Sequence, residues 1–361
     1  VIVALVVANS GVSDRYFNFF NHHLGIFFDG RPFLTHSIKD WINDGLMAMF
    51  FFVVGLELKL EFISGELSNV KKAILPIGAA IGGMIVPAII YFAFNPTGEA
   101  HRGWGIPMAT DIAFALSVLY LLGSRIPLAL KVFLTALAIV DDLGAVLVIA
   151  FFYTSDISIT YLLTGLGFVL VMFIANKMGV RSLLFYALLG IGGVWSAFLL
   201  SGVHATIAAV LAAFTIPADT LKRLVRMLTP LVTFVVLPVF ALANAGVSFE
   251  GIGLGSLFES NIMPGVFAGL LFGKAIGIFG ASYLLVKLKI ATLYNGMNRR
   301  NLLGVSFLGA IGFTMSLFIT ALAFNDETYI TQAKIGIFAA SVVGGLSGYL
   351  ILLHKPSPRL S

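Results

Sequence analysis

The sequence predicts an all-α integral membrane protein of about twelve transmembrane helices, with a small β-hairpin on its outer side. Three observations carry that prediction. The chain is 59% hydrophobic and 11% charged with mean hydropathy +1.01, whereas a soluble domain carries about 25% charged residues. Its apolar runs are long enough to cross a bilayer as helices and are divided by polar or Gly/Pro breaks. Finally, its basic residues gather in alternate connections, which gives the runs an orientation.

Taken in order, the first run, VIVALVVA in 1–9, is too short to span a bilayer. It reads as the remnant of a helix that begins upstream, or as part of a signal peptide whose basic region lies outside the sequence. The outer loop 10–40 contains IFFDGRPFL, where Asp29-Gly30 between apolar runs signals a type I′ turn and a hairpin, with an irregular loop as the alternative. A lone two-stranded hairpin is marginal in water, so residues 24–35 are expected to form an intersubunit contact in a homodimer. Spans follow at 41–60, 73–94, 104–122, 128–153, 160–176, 183–200, 203–216, 229–245, 264–285, 302–324 and 334–353. The pair 183–200 and 203–216 reads as two short helices or one broken one.

Outside Lys274, which lies within a span, only Arg15, Arg31, Lys39, Arg102 and Lys334 of the 22 basic residues fall on the outer side. The rest sit after even-numbered spans or in the tail, so both termini are expected in the cytoplasm. The net charge of +5 follows these loops and is no nucleic-acid signal; the absence of cysteine excludes disulfides and thiol catalysis. The partners expected are membrane lipids and a second copy, and the chain is expected to form one transmembrane domain over 1–361.

Polar groups inside the spans carry the functional reading. Asp141 and Asp142 are the tenth and eleventh residues of Val132–Phe152, whose other residues are uncharged. One Asp at that depth costs about 2.5–3.5 kcal/mol on insertion scales. Consecutive helical positions lie about 100° apart, so the two carboxylates face different surroundings: one an ion cavity and the other a neighbouring helix, or both internal hydrogen bonds. In GIPMATDIAFALSVL, Pro107 and Thr110-Asp111 interrupt the fourth span. Such a break is tolerated where freed backbone lines a cavity or packs on protein. Asp111 is there either to bind an ion or to compensate helix ends. Lys274, eleven residues into its span, needs an anionic partner, with Asp141 or Asp142 the economical candidates. It is either a static tie between helices or a group that releases a proton when a cation neutralises its partner.

The eleventh span carries Gly309, Gly312, Thr314, Met315 and Ser316 at its centre and resembles the fourth in being interrupted. Two interrupted segments in corresponding halves point to an inverted-repeat transporter, with spans 3–5 and 10–12 as the repeats. Crossed, they would set opposite partial charges near the midplane for Asp111 and Lys274 to offset. Asp44 is an interface residue or part of an ion path. Glu57 and Glu61 form a cation-attracting funnel or a solvated helix end, and His204 is a packed histidine or a pH sensor.

The strings WINDGLMAMFF, VGLELK, GGMIVPA, ATDIAFAL, SRIPLALKVFLTALAIVDDLGA, SGVHAT, LPVFALANAGV and GFTMSLFI closely resemble the NhaA-type sodium/proton antiporters, over nearly the whole chain. The resemblance implies a Na+ site at Asp142, Asp111 and Thr110, with Asp141 paired to Lys274. It assigns Asp44, Glu57, Glu61, His204, Lys222 and Arg223 to the cation funnel and pH response. It implies twelve spans, inverted repeats, two interrupted helices crossing at the midplane, and a homodimer joined by the outer hairpin. The chain departs from the family at Ala275, where Pro is usual, at Val225, where a Glu is expected, and in a short loop near 217–228. The expected activity is electrogenic exchange of cytoplasmic Na+ or Li+ for external H+ across the bacterial inner membrane, serving pH and sodium homeostasis. No enzymatic activity and no cofactor are expected. A passive cation channel is the alternative, and an intramembrane aspartyl protease a more distant one, since its YD and GxGD contexts are absent.

Overall fold

The computed structural model describes residues 1–28, 31–154, 157–250 and 260–354, and within these the chain is mostly helical. Each of the twelve expected segments contains helix. Among the described residues, eight helices are individually long and apolar enough to cross a membrane, and the bent pair Arg299–Leu308 and Phe313–Ala323 supplies a ninth. Of the other three, Ile2–Ala8 and Ala205–Thr215 are short, and Met47–Ser64 carries Glu57, Lys59 and Glu61 within its 18 residues. Apolar side chains stay exposed at helical spacing, as Ile81, Ile85 and Ile89 do on Val70–Phe94. That is the surface of a helix solvated by lipid.

The chain divides into two compact units. The first comprises 1–60 and 146–252. It opens with Ile2–Ala8, Ser13–Asn21 and an antiparallel hairpin of His23–Phe28 with Arg31–Ser37. His23 lies opposite Ser37 and Ile26 opposite Leu34, with a register shift between Ile26 and Phe27. The Asp29-Gly30 turn itself lies outside the described residues. A capping box ends the hairpin and starts the next helix: Asp40 N donates to Ser37 Oγ (3.0 Å) and Ser37 N to Asp40 Oδ2 (3.2 Å). Further along, 183–216 forms two helices, because Gly202 adopts φ 80° and ends Leu183–Ser201 before Ala205–Thr215 begins. Leu56, Met172, Tyr186, Val194, Phe198 and Leu221 build this unit's core.

The second unit comprises 61–145 and 253–361. Its core gathers Leu75, Leu119, Phe133, Leu137, Ile278, Val305 and Leu308. Helix Val70–Phe94 packs along Ile262–Lys287 through a glycine seam. A Cβ at Gly82 would strike the Gly277 carbonyl oxygen, and one at Gly277 would strike that of Gly82. At Gly273 it would lie 2.7 Å from Pro87 Cα, and at Gly269 3.2 Å from the Pro87 carbonyl oxygen. Without side chains at these points the two backbones meet closely, as small residues allow in membranes. Lys274 sits on this seam.

Gly277→Ala is therefore expected to lower the melting temperature, by an overpacking cost of about 1–3 kcal/mol. Gly280→Ala, on the same helix with nothing within 4 Å of its missing Cβ, should melt like the parent protein. Equal melting of the two variants in detergent would contradict the seam.

Candidate ion-translocation site

Two helices of the second unit break where their sequences lose helical consistency. Glu99–Met108 is a 3₁₀ helix containing Pro107; Ala109 and Asp111 are extended, and Ile112–Leu121 resumes as α-helix. In the other, Arg299–Leu308 gives way at 309–312 to Phe313–Ala323, with a bend of 47°. Each break releases carbonyls from one helical piece and N–H groups from the next. Buried in an apolar surround, each such group left unpartnered costs about 1–3 kcal/mol.

The breaks satisfy one another. The Thr110 hydroxyl donates to the Gly309 carbonyl (2.9 Å), and the Ser316 hydroxyl donates to the Ile106 carbonyl (2.8 Å). Between them the Asp111 N–H donates to the Ile311 carbonyl at 2.7 Å. The Asp111 carboxylate accepts from two helix starts at once. As N-cap of its own helix it takes the Phe114 N–H (3.2 Å), and across the crossing it takes the Thr314 N–H (3.1 Å) and the Thr314 hydroxyl. Thr110, Asp111, Thr314 and Ser316 are all buried. The anion thus sits where two helix N-termini present partial positive charge.

Beside this crossing, Lys274 Nζ lies 2.6 Å from Asp141 Oδ2, with both residues buried. Lys274 follows a π-turn, Gly269–Gly273, which shifts the phase of its helix by a fraction of a turn. Asp142 is 1% exposed on Leu128–Phe152, next in sequence to Asp141. Thr110, which the resemblance groups with Asp142, gives its hydroxyl to the Gly309 carbonyl here. Asp111, in turn, is taken up by Thr314 and Phe114. The crossing, the ion pair and Asp142 all belong to one unit.

The remaining candidates lie elsewhere. In the first unit, Asp44 occupies a π-turn, Ile42–Leu46, and its carbonyl accepts from Trp195 Nε1 (3.3 Å). The His204 Nε2–H donates to the Tyr153 carbonyl at 2.9 Å. Glu57 accepts from the Thr229 hydroxyl (3.2 Å), while Lys222 and Arg223 are exposed. In the second unit, Glu61 accepts from the Glu66 N–H (2.9 Å), and Glu66 pairs with Lys72 at 3.2 Å. The Tyr294 hydroxyl donates to the Lys72 carbonyl (3.2 Å). Burial, and then the Glu66 and Glu61 carboxylates, push the Tyr294 phenol up to about 12, so this hydrogen bond persists across the physiological range.

Sequence reading passed over Ser341, whose hydroxyl accepts from the Gly312 and Phe313 N–H groups at the second break. A serine amid small residues on an apolar helix gives no signal in the linear sequence. It also passed over the Ile106 and Ile311 carbonyls, which any residue type could supply.

Comparison with known proteins bears on this arrangement. A sequence model of the family described as Na+/H+ antiporter 1 matches residues 1–352. The Na(+)/H(+) antiporter NhaA 1 of Clostridium beijerinckii is 49% identical over 97% of this chain and 89% of its own length. The Na(+)/H(+) antiporter NhaA of Pelagibacter ubique is 48% identical, covering 98% and 92%, and NhaA 2 of Flavobacterium johnsoniae is 47% identical, covering 98% and 87%. With apolar helices of bilayer length throughout, the chain is a multi-pass membrane protein and a transporter, not an enzyme, and it belongs to the Na+/H+ antiporter 1 family.

Proposed function

We propose that the chain exchanges cytoplasmic Na+ or Li+ for external H+ by competition of the cation and protons for shared aspartate oxygens. The observation that carries this reading is the buried Asp141–Lys274 pair lying next to Asp142 in the same unit as the Asp111 crossing. Three carboxylates and one ammonium kept from solvent are costly for any structural purpose. Hard cations prefer oxygen ligands, and the site offers two carboxylates and a hydroxyl at Asp142, Asp111 and Thr110.

In this reading Asp142 receives the cation, and Asp111 and Thr110 complete its shell as Asp111 exchanges the Thr314 hydrogen bonds for the ion. Asp141 remains with Lys274. Protons reload the same oxygens once the cation has left. If the protein changes facing only with the site neutralised, neither ion leaks and exchange is obligatory. With unequal charges moved per cycle the transport is electrogenic, and the membrane potential contributes about 2.3 kcal/mol per charge per 100 mV. The proposal includes twelve spans with inverted repeats, both termini in the cytoplasm, a bacterial inner-membrane location and a homodimer joined by the hairpin. It also assigns Asp44, Glu57, Glu61, His204, Lys222 and Arg223 to cation approach and pH response.

Asp142→Asn should abolish Na+-dependent proton movement in everted vesicles while the protein still inserts and folds. Substantial surviving exchange would sink the reading. A channel predicts Na+ flux without proton release when Na+ is added to purified protein; the exchanger predicts release.

Lys274→Ala leaves Asp141 as a buried carboxylate without its cation, at a cost of about 3–5 kcal/mol. Adding Asp141→Asn should restore most of the lost stability. If the stable double variant also regains electrogenic exchange, Lys274 is a brace; if it stays stable but transports without moving net charge, Lys274 carries a proton. Deleting residues 24–35 should leave active monomers, so dimers that persist on a sizing column would remove the hairpin from the interface.

A further inference from the structure

Half-helix Phe313–Ala323 starts inside the protein, so its leading N–H groups have no carbonyl within their own helix. Its N-cap residue is Gly312, which has no side chain with which to cap. Three of these N–H groups are taken up by other helices instead. The Thr314 N–H goes to Asp111 Oδ2 at 3.1 Å. Those of Gly312 and Phe313 both go to Ser341 Oγ, at 3.1 and 3.4 Å.

Ser341 is 2% exposed on Glu327–Leu353, a helix that is neither of the two broken ones. Small neighbours let its backbone come close enough. Ala340 is fully buried, and a Cβ at Gly344 would lie 2.7 Å from Ala310 Cβ and 3.0 Å from the Phe307 carbonyl. The cap on this half-helix is therefore divided between two side chains of opposite character. Asp111 is charged, and a cation or a proton can claim its oxygens. Ser341 is neutral, does not titrate in any working range, and is a poor competitor for Na+ beside carboxylates.

We propose that Ser341 is a positioning residue for ion exchange: by holding the Gly312 and Phe313 N–H groups, it keeps the half-helix in place while Asp111 changes partners. The proposal rests on Asp111 taking part in cation binding. Without the hydroxyl, a buried and a half-buried N–H group lose their acceptor, and the anion already holding the next N–H, that of Thr314, is Asp111. The start of the half-helix would close on that carboxylate and withdraw it from the cation.

The test is the initial rate of exchange in proteoliposomes against Na+ concentration. Ser341→Ala should raise the KM for Na+ about tenfold or more, the ratio equivalent to about 1.4 kcal/mol, with kcat within about twofold by the same scale. Ser341→Thr, which keeps the hydroxyl, should restore KM. An alanine variant with a parental KM overturns the proposal, whatever its melting temperature, because a purely structural serine would change stability and yield without changing KM. If the alanine variant does not insert, Ser341→Cys, which keeps the size with a weaker acceptor, is read by the same rule: a raised KM supports the role and a parental KM overturns it. Asp111→Asn in the same assay separates the two readings. If it leaves KM and kcat unchanged, cation binding at Asp111 fails and this inference with it. If it impairs exchange beside an unaffected Ser341→Ala, only the role of Ser341 fails.

Discussion

The arrangement depends on one constraint: a helix broken within a membrane protein must have every released N–H and carbonyl satisfied from inside the protein. Two breaks in the second unit meet this by exchanging groups. Hydroxyls of Thr110 and Ser316 each reach the last carbonyls of the opposite helix, and the Asp111 carboxylate collects N–H groups from both helix starts. Neither break could stand alone, because each lacks the acceptors or donors that the other supplies. The interruption in 104–122 therefore implies the one in 302–324.

Electrostatics adds a second layer. Consecutive helix positions separate Asp141 from Asp142 by about 100°, which lets one carboxylate meet Lys274 without obliging the other to do so. Lys274 reaches that point because two features of its helix agree. The glycine seam against Val70–Phe94 brings the backbones together, and the π-turn Gly269–Gly273 sets the phase just before the lysine. A buried ammonium of this kind is tolerated because a carboxylate meets it at 2.6 Å.

Much of this was legible in the linear sequence, for identifiable reasons. Apolar runs of bilayer length mark helices because the requirement for lipid solvation acts on each residue independently; hence 73–94 and 334–353 fall within Val70–Phe94 and Glu327–Leu353. Asp29-Gly30 between apolar runs marked a hairpin, because turn chemistry is local, and strands flank it as read. Asp111, Asp141, Asp142 and Lys274 stood out because charge is expensive where they lie. What stayed hidden depends on partners distant in sequence. Thr110 could not be assigned to Gly309 by composition, since that contact arises only when the two breaks meet. Ser341 was invisible because a serine in a helix usually bonds back to its own backbone. The π-turns were invisible as well, since one extra residue in a turn leaves hydropathy unchanged.

Relative magnitudes indicate which contacts a transport cycle can afford to break. Parting Lys274 from Asp141 leaves a buried charge alone, at about 3–5 kcal/mol, more than the membrane potential returns for one charge at 100 mV. Releasing Asp111 from Thr314 leaves a buried N–H and a hydroxyl without their acceptor, about 1–3 kcal/mol each, while the carboxylate itself gains a cation in exchange. On the proposed mechanism, the Asp111 contact is then the one that opens in each cycle, and the ion pair persists unless a proton transfer first removes its charges. A crossing built from several neutral hydrogen bonds and a single exchangeable anion suits that task. The Thr110, Ser316 and Ser341 hydroxyls keep the broken backbones satisfied whichever ion occupies the site, so occupancy alters one contact without unravelling the rest.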